Sequence, residues 1–330
     1  MADLSTTYMG LKLRNPLIVA SSDMTGDVEK VIACHEAGAG AVVLKSIFEE
    51  QFLVEGDVSP STYGGYSEAI DYLRHGGLLD YAPRHMVDKI NEMKKKVDIP
   101  VIASVNCQSP TLWLRFAKQL QDAGADGLEL NVYFLPLELD VPCSEYETRH
   151  LRILEEVKKS VSIPVSVKLS AQITSVPYLG KRLADAGCDA LVLFNWFLQP
   201  DVDIKSLKTR SVIGVGDFFH SLRWVALLAG RVSCDLAASG GINSPETMVK
   251  QLLGGAVAVQ VCSVLYRKGL DEIKVLLKGL EDWMVARRFE RIQDFRGNLS
   301  FKNQNLKVKG IGEAASYFRA QYLKTFIHLK

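Results

Sequence analysis

Apolar residues in this chain fall in short runs, and each run ends on something polar. Four runs follow a glycine: AGAGAVVLK (37–45), AGADGLELN (123–131), AGCDALVLF (186–194) and GGAVAVQVC (254–262). Glycine there supplies the left-handed residue that ends a helix, and the short apolar run after it predicts a buried parallel strand. Three more begin at a proline: NPLIVAS (15–21), IPVIASVN (99–106) and IPVSVKLS (163–170). With CDLAASGG (234–241) the count reaches eight.

Between these runs apolar positions recur at three- and four-residue spacing. PRHMVDKINEMKKKV (83–97), LWLRFAKQLQDAG (112–124), YETRHLRILEEVKKSV (146–161), VPYLGKRLADAG (176–187) and PETMVKQLLGG (245–255) each carry one apolar stripe at helical spacing. Eight strands alternating with helices, with no break in composition, predict an α/β fold of the (β/α)8 barrel class, a TIM barrel, over residues 1–330 as a single domain. An open doubly wound sheet is the competing arrangement, and eight units of one kind favour the barrel. The stretch 46–84 is too long for a simple βα loop and is expected to cap the barrel mouth, and 294–330 to form a C-terminal extension.

Charge adds an exclusion. Lys and Arg total 39 against 38 Asp and Glu, so nothing resembles the concentrated basic face that nucleic acid needs. No run approaches the roughly 18 apolar residues of a membrane span, and MADLSTTYMG lacks the plan of a signal peptide. Six cysteines stand singly, without a C-x-x-C pair, which fits reduced thiols and a cytoplasmic protein and gives no metal or iron–sulfur site.

A barrel of this class carries its chemistry at the C-terminal ends of its strands. In chain order those ends read Ala20-Ser21-Ser22, Lys45-Ser46, Asn106, Asn131, Lys168, Asn195, Ser239-Gly240-Gly241 and Cys262-Ser263. Lys45 and Lys168 interrupt apolar runs, and a buried ammonium is costly unless it has a partner, so an anionic or electron-rich ligand is expected beside them. Gly240 and Gly241, ahead of the helix start SPE, let backbone N–H groups approach a phosphate closely, with Cys262 and Ser263 adding donors at the next strand end. A phosphate group together with amide and ammonium donors points to flavin mononucleotide (FMN). A cation near the N1–O2 edge of its ring stabilises the reduced anionic form, a role that fits Lys168. Asn106, Asn131 and Asn195 match the edge of a planar heterocycle. Lys45, Asn131 and Asn195 are also the candidates for contact with a small-molecule substrate.

Taken in order, NPLIVASS, VVLKS, LELN, PVSVKL, FN, SGGI and VQVCS resemble the dihydroorotate dehydrogenase family, and DFRGNLS (294–300) looks like the segment after the last barrel helix in the similar flavin domain of dihydropyrimidine dehydrogenase. The resemblance runs from about Asn15 to Ser300. It implies that Ala20, Ser21, Ser22, Lys45, Ser46, Asn106, Asn131, Lys168, Asn195, Ser239, Gly240, Gly241, Cys262 and Ser263 line an FMN site. It further implies hydride transfer between a substrate carbon and the flavin, with a base taking the neighbouring proton. A homodimer and a place in pyrimidine biosynthesis are implied in the same way.

Two segments depart from the family pattern. Where the family reads Asn-x-Ser-Cys-Pro-Asn, with the cysteine as base, this chain reads NVYFLP, and Phe134 takes the cysteine's place. Where the family grips its substrate with Asn-x-x-Gly-Leu-Pro-Asn, this chain has STYGGYSEAIDYLRHGG. Cys143, further along the first of these loops, is the substitute base we single out; Tyr133, Tyr63 and His75 are weaker candidates. Without cysteine clusters, electron exit through iron–sulfur centres requires a separate electron-transfer subunit, whereas a soluble acceptor such as fumarate requires none. A flavin-free isomerase or lyase on the same barrel would need carboxylates at the strand ends, where Lys, Asn and Ser stand instead. A flavoprotein with an altered or lapsed site is the other alternative.

Overall fold

A computed structural model describes residues 2–48, 83–106, 110–134, 138–196, 198–213 and 217–303. The eight expected strands all form: β1 (Leu17–Val19), β2 (Ala41–Val43), β3 (Val101–Asn106), β4 (Gly127–Asn131), β5 (Val165–Ser170), β6 (Ala190–Asn195), β7 (Asp235–Ser239) and β8 (Ala258–Val261). Each pairs in parallel with its chain neighbour, and β8 returns to β1 through Val259↔Leu17 and Val261↔Val19, which closes the ring. The TIM barrel is therefore the fold.

Helices separate the strands: α1 (Val28–Glu36), α2 (Pro83–Lys96), α3 (Pro110–Asp122), α4 (Cys143–Ser160), α5 (Val176–Asp185), α6 (Phe218–Leu228) and α7 (Pro245–Gly254), with α8 (Ser263–Lys268) and α9 (Glu272–Arg287) after β8. Helix α4 begins three residues before the segment read from its periodicity, which makes Cys143 its first residue. Gly38, Gly124, Gly187 and Gly255, the glycines of the repeated motif, all take positive φ at helix ends.

Two cores divide the apolar residues. The outer one lies between strands and helices. The inner one fills the lower barrel and gathers Ile18, Ala41, Ala190, Ala237 and Ala258 around Tyr8, Met9 and Leu13. Those last three belong to an antiparallel hairpin, Thr6–Tyr8 with Leu11–Leu13, that the strand pattern did not predict. Small side chains on four strands leave room for the Tyr8 ring, which is fully buried. The hairpin is tied to the barrel by Thr6 Oγ1 donating to the Val257 carbonyl (3.2 Å) and by Met9 N–H donating to Asp235 Oδ2 (2.8 Å). A second hairpin, Leu198–Asp203 with Lys208–Ile213, follows β6.

Of the expected cap, 46–84, only 46–48 and 83–84 are among the described residues; Ile47–Phe48 continue the sheet by pairing with β3. Tyr63 and His75 lie outside them, as do residues 304–330 of the C-terminal extension. Among the described residues no helix is long and apolar enough to cross a membrane.

Candidate active site

The C-terminal mouth of the barrel opens into a cavity of about 930 Å³. That volume is at the upper end of what small-molecule and cofactor sites enclose. Strand pleating decides what lines it. Inward positions recur every second residue, so Lys45, Asn106, Asn131, Lys168 and Asn195 reach the wall together with Ser21, Ser22, Ser46, Cys262 and Ser263. Ala20 and Ser239 are buried just beneath.

Asn131 is the hub of the polar wall. Its Oδ1 accepts from Asn195 Nδ2 (2.5 Å), its Nδ2 donates to Ser46 Oγ (3.4 Å), and its carbonyl accepts from Asn106 Nδ2 (2.9 Å). Ser46 extends the network to Ser104 (2.7 Å between hydroxyls) and to Ser21 (3.1 Å). Side chains from five of the eight strand ends or their flanks are thus joined through one asparagine, which fixes their donors and acceptors in a single pattern.

Both lysines have protein partners that the strand ends alone did not show. Lys45 forms an ion pair with Asp23. Lys168, only 5% exposed, donates to Gln260 Oε1 at 2.8 Å and lies 3.4 Å from Glu129 Oε1. Glu129 and Gln260 sit two residues below Asn131 and Cys262 on the same inward faces. They were concealed within the apolar runs LELN and VQVC. The barrel therefore does hold carboxylates: Asp23 in the cavity wall, and Glu129 one layer below the mouth and outside it.

The glycine pair has an aromatic neighbour. Gly240 and Gly241 are not among the cavity-lining residues. The indole of Trp196 stands over Gly240, so close that a Cβ on this residue would fall on the ring edge, and φ of +99° independently favours glycine. Trp196 Nε1 is buried without a hydrogen-bond partner beside this glycine. Asp23, Trp196, Phe48, Tyr133, Tyr266 and Arg267 complete the cavity wall, and of these the sequence singles out Tyr133 alone. The others sit beyond strand ends, where no period places them. Burial pushes the Cys262 thiol pKa up, which keeps it protonated at neutral pH.

The segment after β4 alternates as the strand does. Asn131 and Tyr133 face the large cavity, whereas Val132 and Phe134 face a second one of about 170 Å³. Cys143 also lines this second space, with Tyr146, His150 and Ser170, and the two cavities share no residue. Phe134 meets His150 edge to face, with centroids 5.4 Å apart. A register shift at Leu169/Ser170 in β5 accompanies the turning of Ser170 outward, away from the wall that Lys168 joins.

His150 is buried, with Nδ1 2.7 Å from the Tyr146 carbonyl, and burial lowers its pKa below 6.5. The unfolded chain binds this proton more readily, so the stabilisation is fully present above about pH 6.5 and is lost as pH falls toward the folded value. Melting curves at pH 7.5 and 5.5 are expected to show a loss of stability in acid that is smaller in His150→Gln.

A family model for dihydroorotate dehydrogenase matches residues 3–284. The chain is 28% identical, over 90% of its length and 99% of the relative's, to the catalytic subunit of dihydroorotate dehydrogenase B (NAD(+)) of Thermoplasma acidophilum. The corresponding subunit of Methanothermobacter thermautotrophicus is also 28% identical, with 89% and 97% covered. A protein of Aeropyrum pernix provisionally named dihydroorotate dehydrogenase A (fumarate) is 27% identical, again with 89% and 97% covered. Since the matched span takes in every strand of the barrel and the whole of its polar mouth, the chain belongs to the dihydroorotate dehydrogenase family, oxidoreductases that act on CH–CH groups.

Proposed function

We propose that the larger cavity holds FMN and that the protein oxidises dihydroorotate, or a related dihydropyrimidine-like cyclic amide, by hydride transfer to the flavin. The observation that carries this reading is the convergence of the Asn106–Asn131–Asn195 network and a buried ammonium on one cavity. The residues present fit the group. Amide donors and acceptors suit a heterocycle edge, and Lys168 supplies the cation that an anionic reduced ring requires. Ser263 and Arg267 on α8 line the same cavity and offer donors for a phosphate. The orphaned indole N–H of Trp196 is a further donor beside Gly240 and Gly241, whose backbone we assign to the same end. When bound, FMN supplies a hydride acceptor.

The chain's own residues then have separable tasks. Asn131 and Asn195 orient the substrate amide, Lys45 attracts its carboxylate, and the wall excludes water from the reacting face. Proton removal needs a group the family motif no longer provides. Cys143 lines the smaller space, whereas Tyr133 already lines the large cavity. Tyr133 in the cavity and Phe134 against His150 also favour a second reading, a flavoprotein with a changed substrate. A separate electron-transfer subunit fits the catalytic-subunit names of two relatives, and we place the enzyme in the cytoplasm as a homodimer.

We expect the purified protein to be yellow and to release FMN on heat denaturation. Anaerobic dihydroorotate should bleach it, slowly in Cys143→Ser or in Tyr133→Phe according to which group takes the proton. A flavin that stays oxidised with dihydroorotate but bleaches with another dihydropyrimidine leaves the changed-substrate reading. A colourless protein that cannot be reconstituted removes both.

A further inference from the structure

We propose that Glu129 and Gln260 are positioning residues for Lys168, and that together they set how much positive charge the barrel presents to the cavity. This rests on the FMN reading above. Three inward-facing side chains form one line across the barrel interior. Lys168 Nζ donates to Gln260 Oε1 (2.8 Å), and Gln260 Nε2 donates to Glu129 Oε2 (2.5 Å). The partners come from β5, β8 and β4, and β8 is not adjacent to either of the others, so the line crosses the lumen.

The chemistry allows only one orientation. An ammonium has no lone pair to offer and a carboxylate no proton, so the amide must turn its oxygen to Lys168 and its nitrogen to Glu129. Gln260 is 2% exposed and Glu129 fully buried, so water does not compete for either amide edge. The result is a cation in the cavity wall and its counter-charge one strand layer deeper. Gln260 bridges the pair and keeps it long. Lys168 already forms an ion pair with Glu129 Oε1 at 3.4 Å, an atom otherwise without a hydrogen-bond partner, and without the amide it would close to hydrogen-bonding distance on the carboxylate.

Two substitutions should therefore act in opposite directions. Glu129→Gln removes the counter-charge and keeps the shape, leaving Lys168 uncompensated. Gln260→Leu removes the spacer and lets Glu129 draw Lys168 away from the cavity. In the holoprotein, Glu129→Gln is expected to raise the flavin midpoint potential and to tighten sulfite binding roughly 10-fold, since anions gain from an unopposed cation in a low-dielectric wall. Gln260→Leu should lower the potential and weaken sulfite binding. A purely structural role would shift both variants the same way or neither, and either outcome overturns the proposal; if one variant fails to fold, the sign of the other decides.

The apoprotein gives an independent reading. Glu129→Gln should raise the unfolding constant about 10²-fold by stranding a buried charge, and adding Lys168→Met should recover at least ~10-fold. Strict additivity of the two changes overturns the proposed pairing. A wild-type protein that takes up no FMN but shows this coupling removes the cofactor reading alone. FMN uptake with unshifted potentials removes the positioning role alone.

Discussion

Alanine at Gly240 is expected to destabilise the protein by about 3 kcal/mol, among the largest effects of any single methyl group in the barrel. Two costs combine. The residue holds φ of +99°, which an L side chain adopts only with strain, and the new Cβ would fall on the Trp196 indole. Denaturant melts of Gly240→Ala, Trp196→Ala and the double variant separate the two. The double variant should recover the steric share and keep the conformational share. If Gly240→Ala is equally unstable with and without the indole, the contact contributes nothing and the backbone alone requires glycine. A displaced indole would also remove the orphaned N–H we assign to the anion end, so FMN affinity should fall together with stability.

Lys168→Met should lower the rate of flavin reduction about 10²-fold, the usual loss when one charge-stabilising donor is taken from a site that excludes water. Methionine keeps the length and apolar contacts of the side chain, so the change isolates the ammonium. Stopped-flow reduction under anaerobic conditions measures it directly. An unchanged rate would assign the cation a structural role and leave the stabilisation of the reduced ring to the amide network. The rate should respond more than substrate affinity does, because the charge on the ring develops as the hydride arrives.

The barrel was legible because buried parallel strands leave a plain trace, a short apolar run closed by a polar residue, and eight such runs have few other solutions. The strand ends were legible for the same reason: Lys45, Asn106, Asn131, Lys168 and Asn195 all reach one cavity. What lay one layer deeper was not. Glu129 and Gln260 sit at inward positions inside apolar runs, and their meaning depends on a contact across the lumen between residues 131 apart in sequence. A count back by two from each strand end would have placed them on the inner face, though not in contact. Gly240 reads from the sequence as room for an anion, and the structure also shows an indole above it, from a residue that follows a different strand. The sequence places Cys143 in a loop because the helical period is clear only from Tyr146 onward. The helix begins at the cysteine itself and fixes it beside the smaller space. The N-terminal hairpin gave no strand signal because three-residue strands are too short for a period to show.

That hairpin has a consequence for traffic. With Tyr8 and Leu13 corking the lower end, the barrel is a cup and not a tube. Among the described residues the mouth is the open end, so we expect a diffusible electron donor and a diffusible acceptor to approach from the same side and to compete for it. A docked redox protein collecting electrons at the rim would stand outside that competition.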